Sequence, residues 1–254
     1  MLCLYVEAPF AACRTFTAGW YRPTATFLTP SAAYGLLLNV AGIESRLREG
    51  EPGHDGSAPA TLMRPNLPRA SLALGVPAVR FRGARPVPLP AQDRYPVVQT
   101  VYQQLHNYPV GTSGQERAES AKGNKYNITP VRREFLSGLR ACICVKDNDE
   151  LEDCIRRGLH GEFDADRYGV PFLGDNAFLL DDLRAVDSVP EAHWYEQIRE
   201  KSDDGPRPRT TRLTIWIDRA DLSRTTSAHY APTERPTADI PLASWTAVGP
   251  PSSA

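Results

Sequence analysis

The sequence has few of the features that mark a membrane or secreted protein. It contains no long apolar run, and the apolar opening from Leu2 to Val6 is far too short to span a bilayer. No charged leader precedes an apolar segment, so we expect no signal peptide. We therefore expect a cytoplasmic protein that makes no contact with a membrane.

Cysteine is also sparse, and its spacing fits neither a disulfide framework nor a metal site. Cys142 and Cys144 are two residues apart on a predicted strand, which is not the C-x-x-C spacing of zinc or redox sites. The other three cysteines are Cys3, Cys13 and Cys154. We expect all five to be small buried residues in a reducing compartment, and we expect no metal and no other cofactor.

Standard catalytic signatures are absent as well. The sequence contains no G-x-S-x-G, no P-loop, no G-x-G-x-x-G after a strand and no H-E-x-x-H. The histidines are scattered, with no spacing that suggests a metal site. Neighbouring residues of a strand point to opposite faces, so the adjacent pair Asp181 and Asp182 does not form a carboxylate dyad. The sequence therefore does not indicate a free-standing enzyme.

The charges that are present are divided unevenly along the chain. The net charge is only −1, but residues 1–140 carry 16 Lys and Arg against 9 Asp and Glu, whereas residues 141–254 carry 13 against 21. The basic part uses arginine almost throughout, and its only lysines are Lys122 and Lys125. The planar guanidinium group binds phosphate in a bidentate manner and stacks on bases. We therefore expect the first part to face an anion and the second to face solvent or a protein.

Local patterns predict short elements of both kinds, separated by many loops because the chain has 23 prolines. The alternation from Leu2 to Val6 predicts a strand that ends at Ala8-Pro9-Phe10, and Thr29 is the predicted N-cap of a helix that ends at Gly42. Further strands are predicted at 71–76, 97–105, 139–145, 177–180 and 213–217, and Asp147-Asn148-Asp149 is the predicted cap of a second helix at 150–159. Polar residues 107–130 predict a protruding hairpin or arm, and residues 187–208 are predicted to be irregular. This order favours a ferredoxin-like α+β domain, a common platform for RNA.

Arginines and aromatic residues occur together in two places, where cations would contact phosphates and rings would stack on bases. The loop after the first strand contains Arg14, Trp20, Tyr21 and Arg22. The predicted arm contains Lys122, Lys125, Tyr126, Arg132 and Arg133. A role for Trp20 in the core is an equally good interpretation. A loop with Gly169 and Gly174 would let the backbone approach phosphates closely, because glycine lacks a Cβ.

Several segments together carry a family resemblance. They are Val6-Glu7-Ala8-Pro9-Phe10-Ala11 with Arg14, the run from Thr29-Pro30-Ser31 to Gly42, the Pro-Phe-Leu-Gly of residues 171–174, and Lys125-Tyr126-Asn127-Ile128 followed by Arg132-Arg133. They resemble the Cas-five family of CRISPR-associated RAMP proteins, most closely its DevS-type branch. The match spans about residues 1–183, and the first two segments are the specific part of it.

The resemblance implies an RRM-like RAMP domain over residues 1–183, with a β-hairpin thumb at about 98–135. Residues 184–254 would then form a small C-terminal β-rich extension. It also implies a role in type I antiviral interference, in which the protein binds the 5′ handle of the guide RNA at the foot of a Cascade complex. The implied protein partners are the large subunit and the backbone subunit, and target DNA would be contacted indirectly.

One branch of the family also cleaves the precursor RNA, with a site that resembles a tyrosine after the first helix and a Lys-His pair on the thumb. Here Lys125 is followed by Tyr126, and Ala41-Gly42-Ile43 follows the helix. Lysine and tyrosine titrate near pH 10 and are poor general bases at neutral pH. We therefore expect binding without cleavage.

Two alternatives stay open at the level of the sequence. The first is a metal-independent endoribonuclease, for which His106 and Tyr126 would be the best acid and base candidates. The second is a scaffold that binds only proteins, through the acidic second half of the chain.

Overall fold

The computed structural model describes residues 1–15, 21–54, 61–106, 128–163, 169–198 and 207–251. The strands are β1 Leu2–Ala11, β2 Tyr21–Arg22, β3 Ala70–Pro77, β4 Val79–Arg82, β5 Arg85–Pro88, β6 Val97–His106, β7 Ile128–Lys146, β8 Asp182–Ala185, β9 Ala192–Gln197, β10 Thr211–Trp216, β11 Thr226–Pro232 and β12 Thr246–Val248. The α-helices of these residues are α1 Pro30–Val40 and α2 Asp149–Leu159. This combination of a mostly antiparallel sheet with two helices confirms the α+β class.

Most strands belong to one sheet with the order β10-β11-β9-β3-β7-β1-β8, and neighbours along this path are antiparallel. Strand β12 pairs with β3, while β2 and β6 pair with β7. Strands β4 and β5 form a separate hairpin. The C-terminal strands β9 to β12 thus join the sheet through β3. The division of the chain at residue 183 stays a prediction.

Strand β7 is 19 residues long and takes different partners along its length. Its second half lies between β1 and β3, where Cys144 faces both Cys3 and Ala73. Its first half lies between β2 and β6, where Arg132 faces both Tyr21 and Tyr102. The β6–β7 hairpin is the stem of the predicted arm. The remainder of that arm, residues 107–127, lies outside the described residues.

Both helices begin and end as the sequence predicts. Thr29 Oγ1 accepts a hydrogen bond from the Ala32 N–H at 3.2 Å, and Gly42 follows α1 with φ +72°. Helix α2 is capped by Asn148, whose side chain accepts the Leu151 N–H at 2.9 Å. The helices pack against one face of the sheet, in a core that includes Leu4, Val6, Leu37, Ile143 and Ile155.

Four predictions of secondary structure are wrong, and one of them is the start of β7, which begins at Ile128 and not at residue 139. Strand β1 continues to Ala11, because Pro9 lies beyond the pairing with β8 and is passed over in the pairing with β7, so its missing N–H removes no ladder bond. Residues 177–180 contain only an isolated bridge from Leu179 to Phe172. Residues 187–208, predicted to be irregular, contain β9. The charged residues around β9 concealed Trp194, which is fully buried against β3.

The cysteine prediction is also wrong in part, because the structure joins Cys3 and Cys144 in a disulfide. The two residues face each other across β1 and β7 with Cα atoms 4.1 Å apart. Only the register of the two strands brings them together, so spacing along the chain could not reveal the pair. Cys13, Cys142 and Cys154 are free.

Among the described residues, neither α-helix has the length and hydrophobicity of a membrane-spanning segment. The same residues show no group of three or more His, Cys, Asp or Glu side chains that could hold a metal ion.

Candidate nucleic-acid interface

Strand β2 brings the two predicted basic groups together beside the β6–β7 hairpin. It pairs with β7 in parallel, so that Tyr21 faces Arg132 and Arg22 faces Arg133. Paired residues share a face of the sheet, and neighbours along a strand lie on opposite faces. The predicted site is therefore divided, with Tyr21 and Arg132 on one face and Arg22 and Arg133 on the other.

On the first face, Tyr21 is held by a carboxylate and an arginine. Its hydroxyl donates to Glu134 Oε1 at 2.6 Å, and the Arg132 guanidinium carbon lies 5.1 Å from its ring centroid. Glu134 also accepts the Thr24 N–H at 3.2 Å. The hydrogen bond to Glu134 raises the pKa of Tyr21. Tyr21 is 38% exposed, and Tyr102, which pairs with Arg132 from the other side, is 73% exposed, so this face offers two open rings beside a cation.

On the second face, Arg133 is held in place by two acceptors. It forms a salt bridge with Asp175 and donates a hydrogen bond to Gln103 Oε1 at 3.4 Å. Asp175 also accepts the Ala177 N–H at 3.0 Å. That backbone hydrogen bond and the Arg133 charge lower the pKa of Asp175, so its carboxylate is ionised. Arg133 is therefore oriented before any ligand binds.

Arg14 is a charged neighbour of Arg133 and Asp175. Desolvation lowers the pKa of its guanidinium, and the positive charges of Arg133, Arg22 and Arg219 lower it further, while Asp175 opposes the shift. We call Arg14, Arg22, Arg133 and Arg219 the arginine cluster. Since these side chains repel one another and Asp175 compensates only one charge, the arginine cluster carries an excess of positive charge. Such an excess attracts phosphate.

A cavity of about 440 Å³ adjoins the arginine cluster. Its buried lining is mostly apolar and includes Ala12, Leu36 and Leu173. Its polar lining includes Arg14, Arg46, Arg219, Ser31, Asn39 and the carboxylate residue Glu44. Desolvation lowers the pKa of Arg219, which is about half-buried here. An apolar lining with cations beside it suits a nucleotide, whose base is largely apolar on its faces and whose phosphate is anionic.

The glycine loop closes one side of this cavity. Gly174 has φ +81°, and a Cβ there would lie 1.8 Å from the Ala12 carbonyl oxygen. The Ala12 N–H donates to the Leu173 carbonyl at 3.0 Å. The close approach that Gly174 permits is therefore to Ala12, just after β1. A phosphate contact of this loop stays a prediction. Gly169 has φ +69°, and a Cβ there would meet nothing within 4 Å.

The structure thus places five of the predicted RNA-binding residues beside the β6–β7 hairpin, with Arg14, Arg22 and Arg133 in one group and Tyr21 and Arg132 on the opposite face. Trp20, Lys122, Lys125, Tyr126 and the side chain of His106 lie outside the described residues. The sequence did not reveal Asp175, Arg46 or Arg219 as neighbours of the site. No local pattern marks them, because each reaches the site from a distant segment.

The sequence matches no family model and no curated relative. A chain of a solved structure titled "CRISPR RNA-guided surveillance complex" has a TM-score of 0.51 and 15% identity, over 94% of this chain and 92% of that chain. A chain titled "Crystal structure of Cas protein" is 13% identical over 98% of this chain and 99% of that one, but its TM-score of 0.42 carries no argument. At this identity the first likeness shows a shared fold, and at that level the resemblance in the sequence is confirmed.

The glycine loop yields a prediction about stability. Gly174→Ala and Gly169→Ala each place a Cβ at positive φ, which costs about 1–2 kcal/mol. Only at Gly174 does the new Cβ also collide with a backbone oxygen, and we expect a further loss of about 2–3 kcal/mol. Urea unfolding of the two variants measures the difference in the free energy of unfolding. Equal losses would contradict the packing of this loop on β1.

Proposed function

We propose that this chain is the subunit of a CRISPR surveillance complex of the Cascade type that binds the 5′ handle of the guide RNA. The observation that carries the proposal is the arginine cluster at the side of the β6–β7 hairpin, in a fold shared with a chain of an RNA-guided complex. Arg133 and Arg14 share the charge of the Asp175 carboxylate, and the charges of Arg22 and Arg219 add to that of Arg14. A phosphate backbone is a ligand that would balance this excess.

The core would be a ferredoxin-like RAMP domain. Its support is the chain order β1-α1-β3-β7-α2-β8 combined with the sheet order β8-β1-β7-β3. Numbered by their order in the chain, these four strands lie in the sheet in the order fourth, first, third, second. This is the arrangement of a split βαβ fold. The β6–β7 hairpin would be the thumb at about 98–135, with a β-rich extension over 184–254.

Binding would use the cluster and the cavity together. Arg14, Arg22 and Arg133 would contact consecutive phosphates, and an unstacked base would enter the cavity beside α1. Because Asp175 already orients Arg133, less side-chain entropy is lost when the RNA binds. Lys122 and Lys125 would extend these contacts from the arm, with Trp20 and Tyr21 as stacking residues. The large and backbone subunits would bind beside the handle, and target DNA would be contacted indirectly.

We also propose that the chain binds RNA without cleaving it. Metal-free cleavage requires a base for the 2′-hydroxyl and an acid for the leaving oxygen, both with pKa values near the working pH. Burial raises the pKa of Cys13, which lines the cavity, to about 11, so its thiol stays protonated. Desolvation also raises the pKa of Tyr34 on α1. Neither group is suited to remove a proton at neutral pH.

The double variant Arg14→Gln with Arg133→Gln tests the arginine cluster. For single-stranded repeat RNA each lost phosphate contact lowers the slope of log K against log salt by about 0.7, so we expect a slope smaller by about 1.4. Affinity at low salt should fall at least about tenfold. Fluorescence anisotropy titrations over a salt series measure both quantities. Arg156→Gln with Arg235→Gln is the matched control, because both are exposed and the change in charge is equal.

A second variant separates charge from structure. Asp175→Asn removes the same salt bridge to Arg133 but increases the positive charge, so it should bind RNA at least as tightly as the wild type. If Asp175→Asn lost RNA affinity as the double variant does, the effect of the double variant would come from the loss of local structure held by the salt bridge, and not from the loss of positive charge. Unchanged affinity in the double variant would overturn the proposed site and favour a scaffold that binds only proteins.

Cleavage is tested by incubating the purified chain with repeat RNA in the presence of a chelator. We expect the RNA to remain intact, because the buried Cys13 thiol at the cavity stays protonated and is a poor base at neutral pH. A specific cut within the repeat that is lost in His106→Ala or Tyr126→Phe would establish the endoribonuclease alternative instead.

A further inference from the structure

A second basic surface lies on the face of the sheet that α1 does not cover. Leu4 and Val6 of β1 point to the helices, so Tyr5 and Glu7 point to the opposite face. The β4–β5 hairpin packs there. Its two strands are joined by a two-residue turn whose first residue, Gly83, has φ +59°, as type II′ turns require.

This hairpin is anchored at several points. Phe81 packs edge-on against Tyr5, with ring centroids 4.8 Å apart. Arg80 forms a salt bridge of 2.8 Å with the buried carboxylate of Glu7. Arg184 of β8 donates a hydrogen bond to the Gly83 carbonyl and pairs with Asp182. The tip of the hairpin is therefore held in one position relative to the sheet.

The tip carries two arginines in an arrangement that is unfavourable in the free protein. Arg82 and Arg85 face each other directly across the hairpin, and both are exposed. Like charges in this position are destabilising in a cross-strand pair. Neither side chain pairs with a carboxylate among the residues that the structure describes. An anion bound between them would remove the repulsion.

The charge excess continues into a cleft of about 540 Å³ between the hairpin and β7, near Gly138. Arg80, Arg82 and Arg140 line it, together with the carboxylate residue Asp93. Glu7, below the cleft, is already shared by Arg80, Arg140 and the Tyr5 hydroxyl. With Arg85 at the tip, the site has four arginines and two carboxylates, and because Arg80 and Arg140 are already paired with Glu7, the excess charge belongs to Arg82 and Arg85.

Aromatic rings, by contrast, are not open to a ligand here. Tyr95 lines the cleft, but the Arg209 guanidinium covers its ring at 3.9 Å from the centroid. Phe81 is packed on Tyr5 and lies under Arg184. Single strands are usually bound by rings that stack on bases, whereas a duplex offers mainly its phosphates. The combination of free arginines and covered rings therefore favours a duplex.

We propose that the β4–β5 hairpin, with Arg82 and Arg85 at its tip, binds the phosphate backbone of a DNA duplex. This site is separate from the arginine cluster. The cluster adjoins the cavity beside α1, and the hairpin lies on the opposite face of the sheet, so a guide RNA and a duplex can be bound at once. The chain would then contact duplex DNA directly, beyond its proposed role as a holder of the guide.

The test uses the purified full chain, a labelled short DNA duplex and anisotropy titrations at several salt concentrations. In Arg82→Gln with Arg85→Gln two phosphate contacts are lost, so the slope of log K against log salt should be smaller by about 1.8. Duplex affinity at low salt should fall at least about tenfold, while affinity for single-stranded repeat RNA stays unchanged. Because the variant removes a like-charge pair, its melting temperature should equal or exceed that of the wild type.

The control variant Arg156→Gln with Arg235→Gln should keep the duplex affinity of the wild type. The proposal is overturned if the wild-type chain does not bind the duplex, if the hairpin variant keeps its slope, or if the control loses as much. If the hairpin variant lost affinity for both the single-stranded RNA and the duplex, the proposal would also be overturned, because the two ligands would then share one site. A failure of the proposed guide-RNA site gives a different result, because the variant Arg14→Gln with Arg133→Gln would then bind RNA as the wild type does.

Discussion

The continuous ladder of β7 is the interaction on which the other features of this molecule depend. Half of the strand lies at the centre of the sheet, buried between β1 and β3, and the other half forms the β6–β7 hairpin and receives β2. The change of partners occurs near Gly138, whose φ of +69° few other residues adopt. Arg132 and Arg133 are therefore part of the same strand as the core and take their positions from it.

The arginines of this chain fall into two kinds according to their surroundings. Around Glu7, two guanidinium groups and a tyrosine hydroxyl share one buried carboxylate, and this closed network joins the β4–β5 hairpin to the sheet. Around Asp175 the arginines outnumber the carboxylate and lie beside a cavity, so part of their charge is available to a ligand. A net charge of −1 for the whole chain is compatible with such local excess, because salt screens charges over about 10 Å.

Local signals in the sequence predicted the elements that local interactions determine. Thr29, Gly42 and Asn148 marked the helix ends correctly, and the β-branched run at 97–105 marked β6, because caps and strand propensity act within a few residues. The sequence could not reveal features that depend on contacts between distant segments. These include β9, where Trp194 packs over Gly75, the pairing of Cys3 with Cys144, and Asp175 as the partner of Arg133.

The measurement that tests the central claim most directly is crosslinking within an assembled complex. The chain would be purified with its neighbouring subunits and a guide RNA, irradiated, digested and analysed by mass spectrometry. We expect crosslinks from the first nucleotides of the 5′ handle to peptides that contain Arg14, Tyr21 and Arg22, and to those that contain Arg132 and Arg133. An assembled complex whose handle crosslinks to other subunits and to neither of these segments would contradict the account.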